Sequence, residues 1–123
     1  QLAGHVQVGD FAILGGFTGV HQFVRIGAHS MTAISSVFLQ DLPPYVTAAG
    51  NAAKPFGINS EGLRRRGFSS DAIAAVKRAY KLLYRSGATL AEARAKISDE
   101  ARNEPALSLL ADFLAEPGRG IIR

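Results

Sequence analysis

From Leu2 onward the same kind of position returns every sixth residue: Leu2, Val8, Leu14, Val20 and Ile26, then Thr32 and Phe38. The position after each is Ala3, Gly9, Gly15, His21, Gly27 and Ala33, and the fifth of each six is Val6, Ala12, Thr18, Val24, Ser30 and Ser36, mostly small or β-branched. A period of six is neither the helical 3.6 nor the simple strand period of 2. It is the hexapeptide pattern of a parallel β-helix, in which three short strands close an 18-residue triangular coil and each inward aliphatic stacks about 4.8 Å above the next. The general rule for parallel crossovers favours a right-handed coil, whereas hexapeptide coils are left-handed. Nothing polar or helical caps the first coil, so residue 2 reads as entering an array that begins upstream.

The pattern is expected to stop at "QDLPPYVTAAGNAAKPFGIN", where Pro43 and Pro44 each lack a backbone donor. Beyond it the period becomes helical. Ser69 or Ser70 can cap a helix with Ile73, Val76, Tyr80, Leu83 and Tyr84 on one face, ended by Gly87. Thr89 and Glu92 form a capping box before a second helix carrying Leu90, Ala93 and Ile97, and Pro105 opens a third with Leu107, Leu110 and Leu114. The expected organisation is β-helix coils over residues 1–42, a connecting and binding segment over 43–68, and a helical domain over 69–123. The stretch "EPGRGIIR" carries no assignable chemistry.

Composition narrows the function classes. No run approaches the roughly 18 consecutive apolar residues of a membrane span and no secretion signal is visible, so a cytoplasmic location is expected. The absence of cysteine removes disulfides and thiolate-bound metals. A net charge of +4 lies wholly beyond Asn59, because Arg25 and Lys54 balance Asp10 and Asp41 in residues 1–59. Most of that charge falls beside acids on amphipathic helices, and no aromatic-plus-basic motif accompanies it, so nucleic acid is not an expected partner.

Smooth, weakly charged β-helix faces pack against copies of themselves in closed rotational symmetry, which predicts a trimer with its site in the cleft between neighbours. His5 and His21 fall on adjacent coils, about 7 Å apart along the strand direction at the usual rise, close enough for one small ligand to touch both. Gln22 joins them if the chain turns there. His29 falls on another side of the triangle. Three readings of these rings stand side by side: a metal shared at a subunit boundary, for which no acid is placed as support; plain surface residues; and hydrogen bonding to a sugar or phosphate, or proton transfer. In "NSEGLRRRGFS" the consecutive Arg64, Arg65 and Arg66 cannot all face one ligand. One or two suit a diphosphate, with Asn59 and Glu61 beside them for ribose or base edges, unless the run is simply solvated.

Taken in order, "GVHQF", "PPYV", "GNAAKPFG" and "EGLRRRGF" resemble the C-terminal part of the acyl-carrier-protein–UDP-N-acetylglucosamine O-acyltransferases of lipid A biosynthesis, over the whole of Leu2 to Arg123. The resemblance implies a homotrimeric left-handed β-helix that moves a 3-hydroxyacyl group from acyl carrier protein to the sugar 3-hydroxyl, with no cofactor and no metal. It places the family's general base, a histidine oriented by an acid, before Gln1, so the 123 residues alone are expected to be inactive. It matches Gly4 to the oxyanion's backbone donor, His5, His21 and Gln22 to residues holding the sugar or acyl hydroxyl, and Asn59, Glu61, Arg65 and Arg66 to the nucleotide segment. Acyl length would be set near Met31, Ile34 and Ala52. Ile34 stands where a long-chain member has glycine and Ala52 where one has histidine, which predicts a shorter acyl chain. The alternatives are the N-acyltransferase of the same pathway and a non-catalytic trimerisation or binding module.

Overall fold

The computed structural model describes residues 1–116, 118 and 120–123. Six two-residue strands open the chain: β1 (Gln7–Val8), β2 (Ile13–Leu14), β3 (Gly19–Val20), β4 (Arg25–Ile26), β5 (Met31–Thr32) and β6 (Val37–Phe38). They pair in parallel with Val8 opposite Ile26, Leu14 opposite Thr32 and Val20 opposite Phe38, so each partner lies 18 residues on, one coil of three faces. This is a left-handed parallel β-helix followed by helices. Val20, Ile26, Thr32 and Phe38 are buried in its interior, and Leu2, 50% exposed, stacks on Val20 in the first coil. Residues at the fifth position of each six fill the corners from inside. There the hydroxyls of Ser30 and Ser36 donate to the carbonyls of Gly27 and Ala33, three residues back, at 2.7 Å each, so these buried oxygens are satisfied.

Backbone geometry repeats with the same period. His5, Phe11, Phe17, Phe23, His29 and Ser35 all take φ between 58° and 66°, the left-handed turn conformation that side chains other than glycine rarely adopt. Each of these side chains leaves the coil at a corner, and all but His29, which is covered, are exposed.

The ladder continues past its expected end. Leu42 bridges Ile26, Thr32 pairs with Ala48 in β7 (Val46–Ala49), and Val37 bridges Asn51. The expected boundary at residue 42 therefore falls inside the β-helix. Pro43 and Pro44 do not stop the ladder, because the bonds to the coil above are made by Leu42 N–H to the Arg25 carbonyl (2.9 Å) and Tyr45 N–H to the Ala28 carbonyl (3.0 Å). The missing proline donors lie on positions this coil does not use. The coil is two residues shorter instead at the corner before Asp41, so Leu42 lies 16 residues after Ile26. An antiparallel β8 (Lys54–Ile58) then covers β7.

The helical stretch follows its caps. Ser69 Oγ accepts from Ala72 N–H at the start of α2 (Ser70–Tyr84), after the short α1 (Ser60–Arg65), which the periodicity did not announce. Gly87, at φ 75°, follows the end of α2. Thr89 and Glu92 exchange two 3.1 Å bonds at the start of α3 (Leu90–Glu100), and Pro105 starts a single 3₁₀ turn leading into α4 (Ser108–Ala115). Ile73, Val76, Leu83, Ala93, Ile97, Leu107, Leu110 and Leu114 make one core, and the β-helix interior makes a second. Tyr45 joins them, its hydroxyl donating to the Ala106 carbonyl. Of "EPGRGIIR", Pro117 and Arg119 lie outside the described residues, while buried Ile121 bridges Asp41 as one more rung.

Candidate functional site

Two groups of candidate residues stand at different corners of the prism. Gly4 and His5 turn the first corner and lie over Gln22 and Phe23 of the coil below: the Gly4 carbonyl accepts from Phe23 N–H at 3.1 Å, and the His5 ring stacks flat on Phe23 at 4.8 Å. His21 precedes them on the lower coil, its Nδ1 3.2 Å from the Gln22 carbonyl. All four candidates are exposed, so the structure brings Gly4, His5, His21 and Gln22 to one solvent-facing edge. A Cβ built on Gly4 would meet nothing within 4 Å, which leaves that side of its backbone open to a ligand.

The second group lines a cavity of about 620 Å³ between the next corner and α1, bounded by Phe11, Ile13, His29 and Met31 on the β-helix and by Glu61, Arg65 and Arg66 opposite. Of the three consecutive arginines two face this space. Arg64 instead pairs with Glu61 at 3.0 Å, and Arg65 reaches the other Glu61 oxygen at 3.6 Å, all on exposed side chains worth little to stability. The charge balance favours an anion: the guanidiniums of Arg65 and Arg66 against the one Glu61 carboxylate leave this wall of the cavity net positive. Asn59 is 7% exposed and occupied by structure, because its Oδ1 accepts from Gly62 N–H at 3.3 Å while its Nδ2 donates to the His29 carbonyl at 3.2 Å. It caps α1 at the cavity edge, and a ligand would have to share its remaining hydrogen-bonding capacity.

His29 is not an outward ring. It is 8% exposed, stacked between Phe11 (5.1 Å) and Tyr45 (5.7 Å) with Phe68 against it edge-on. Burial first, then the Arg66 charge, hold its pKa below the usual histidine value, with Asp10 acting the other way. Burial likewise pushes the Tyr45 hydroxyl up to about 12. Among the described residues no three metal-ligating side chains converge. Met31 lines the cavity, whereas Ile34, 69% exposed beneath Gly16, and exposed Ala52 stand outside its lining.

Sequence reasoning missed the ring column of Phe11, His29 and Tyr45, although rings at 5, 11, 17, 23 and 29 recur every sixth residue and were there to be counted. It also missed the Arg25–Asp41 pair. Asp41 is wholly buried, accepting from Arg25 Nε at 3.0 Å, Nη2 at 2.9 Å and the Arg25 N–H at 2.8 Å, while the same guanidinium donates to the carbonyls of Phe113 and Glu116 and lies over the Phe113 ring. The two charges that cancel in the sequence are thus a junction between β-helix and α4.

A parallel stack of six-residue steps that turns at left-handed corner residues, joined to helices and facing α1 across a basic cavity, defines the hexapeptide-repeat β-helix class. Within that class, the model described as UDP N-acetylglucosamine O-acyltransferase, domain 2, matches residues 41–122, and the chain belongs to this family. It is 62% identical over 123 residues to the acyl-[acyl-carrier-protein]–UDP-N-acetylglucosamine O-acyltransferase of Thiobacillus denitrificans, with all of this chain and 48% of that protein covered. A Burkholderia mallei protein of the same name is 55% identical over 127 residues, again at 48% of its length. The chain therefore spans about half the length of the curated relatives it matches. Among solved structures, LpxA of Acinetobacter baumannii overlays with TM-score 0.94 at 46% identity, over 99% of this chain and 48% of that one. A Francisella novicida UDP-N-acetylglucosamine acyltransferase overlays at 0.96 with 42% identity, covering 99% and 45%.

Proposed function

We propose that these residues form part of an enzyme that transfers a 3-hydroxyacyl group from acyl carrier protein to the 3-hydroxyl of UDP-N-acetylglucosamine, in the cytoplasm. The observation that carries the reading is the basic cavity. Arg65, Arg66 and Glu61 face the β-helix across a space able to take a nucleotide, in a chain 62% identical to a protein with that name. Arginine forks suit a diphosphate bidentately. No described helix is long and apolar enough to cross a membrane.

In the reaction the sugar oxygen bonds to the thioester carbonyl, the C–S bond breaks, and the thiol leaves with the proton. The N–H of Gly4 is assigned to the oxyanion of the tetrahedral intermediate, and His5, His21 and Gln22 to the sugar and acyl hydroxyls. No residue of this chain is assigned the proton abstraction. Because the edge bearing Gly4, His5, His21 and Gln22 and the cavity bearing Arg65 and Arg66 sit at different corners of one prism, the two halves meet only if a neighbouring copy supplies one of them, which favours a homotrimer. Exposed Phe17, Phe23, Ile13 and Ile34 give the faces apolar surface to bury on assembly. The match of the O-acyltransferase model through the helical stretch favours this reading over the related N-acyltransferase.

Arg65→Ala in a protein of the relatives' full length that carries these residues is expected to weaken UDP-N-acetylglucosamine binding by roughly tenfold or more, the size of one lost charge-assisted contact. Unchanged affinity by calorimetry would leave a non-catalytic binding or trimerisation module as the better reading. Acyl length gives a separate test. Ile34, exposed outside the basic cavity, is assigned to narrowing an acyl path that a neighbouring copy completes, so donors with short hydroxyacyl chains should turn over faster than long ones, and Ile34→Gly should move the preference toward longer chains by roughly tenfold per few methylenes. Preference of the unaltered enzyme for the longest donor would defeat the steric argument.

A further inference from the structure

The helix that carries the arginines cannot hold itself in place. α1 has six residues and buries only Leu63, far below the length at which a helix is stable on its own. Its two ends are instead tied to one residue of the β-helix. At its start, Asn59 is the cap, and its Nδ2 donates to the His29 carbonyl at 3.2 Å. Just past its end, the Arg66 guanidinium lies 3.9 Å from the centre of the Phe11 ring, and that ring stacks on His29. The other face of the His29 ring meets Tyr45, whose carbonyl accepts from Asn59 N–H at 2.8 Å, and Phe68, two residues after Arg66, packs edge-on against both rings. His29 itself is fixed by its N–H bond to the Asp10 carbonyl at 2.9 Å in the coil above.

We propose that His29 is a positioning residue for the nucleotide end of the substrate: clamped between Phe11 and Tyr45, it sets where α1 begins and where Arg66 lies, and so fixes the width of the basic cavity. This rests on the reading of that cavity as the nucleotide-sugar site. The physical basis is preorganisation. A cation lying on an aromatic face is held at a fixed distance, and a guanidinium already in position loses less freedom when the ligand arrives. Imidazole fits the slot because it is flat and small enough for a corner residue in the left-handed conformation, and burial first, then Arg66, disfavour its charged form. Its ring packing, not its titration, carries the role.

The test uses the full-length protein containing this chain, titrated with UDP-N-acetylglucosamine in a calorimeter and assayed for transfer. His29→Ala is expected to weaken binding roughly tenfold and raise KM, with kcat changed less than twofold, as loss of preorganisation without loss of a reacting group requires. His29→Phe restores a flat ring in the slot and is expected to bind within about twofold of the unaltered protein. Unchanged affinity in His29→Ala overturns the proposal, as does His29→Phe binding as weakly as His29→Ala. Should His29→Ala not fold, Phe11→Ala decides: that ring is half exposed, and its removal frees Arg66 and takes away one wall of the clamp while His29 keeps its contacts with Tyr45 and Phe68. Weaker binding there supports the assignment and unchanged binding overturns it. If Arg65→Ala weakens binding while the ring variants do not, only this inference fails; if Arg65→Ala also has no effect, the nucleotide site itself is misplaced.

Discussion

Asp41→Ala is expected to cost the fold about 3–5 kcal/mol, the usual loss when one partner of a buried ion pair is removed. The carboxylate is wholly enclosed and takes three donors from one residue, the Nε, Nη2 and backbone N–H of Arg25. Alanine would leave a guanidinium only 16% exposed without its counter-charge, and would strand a backbone N–H. The damage spreads because Arg25 also donates to Phe113 and Glu116 and lies over Phe113, which anchors α4 to the β-helix. Urea unfolding should show the midpoint falling with little change in slope. Asp41→Asn keeps an acceptor for the N–H and should lose less. The double replacement Arg25→Met with Asp41→Leu removes both charges and should recover much of the loss, since a buried pair often breaks even against apolar residues of similar size. A loss below about 1 kcal/mol in Asp41→Ala would mean that water reaches the pair and screens it.

That pair also shows where sequence reasoning stopped. Interior positions from Leu2 to Phe38 were legible because one residue in six must be apolar whatever surrounds it, and Ser69, Thr89, Glu92 and Pro105 were legible because capping is local. What depended on the third dimension was not. Arg25 and Asp41 are 16 residues apart, and their meeting follows from a coil shortened by two residues, which no period announces. Pro43 and Pro44 were expected to break the ladder because each lacks a donor. Whether that matters depends on which N–H groups the coil above calls on, and these belong to Leu42 and Tyr45. The β8 hairpin and α1 were missed for the related reason that "NAAKPFG" and "SEGLRR" have no strong period of their own and take their form from the coil and core they cover. In the candidate site, residue types pointed to an anion and a sugar. The separation of the two groups onto different corners, and the use of Asn59 as a cap, came only with coordinates.

The same substitution at two glycines should have opposite signs, and this tests the stacking itself. Gly27 lies directly over the next coil: its N–H donates to the Leu42 carbonyl at 2.7 Å, and a Cβ there would sit 2.2 Å from the Pro44 nitrogen and 2.7 Å from the Pro43 carbonyl carbon. These are backbone atoms of a closed coil and cannot rotate aside, so Gly27→Ala must push the coils apart along a whole corner. The expected cost is about 3 kcal/mol or more, at the upper end for overpacking. Gly16 occupies another corner, where a Cβ would meet only the flexible side chain of Ile34, at 3.7 Å, and its backbone is not in the left-handed region. Gly16→Ala should be neutral or stabilise the fold by about 0.4–1 kcal/mol by restricting the unfolded chain. Thermal or urea unfolding of the two variants side by side checks the argument. A Gly27→Ala protein as stable as the unaltered one would mean that residues 27 and 44 are not neighbours, and the register that extends the β-helix through Pro43 and Pro44 would be wrong.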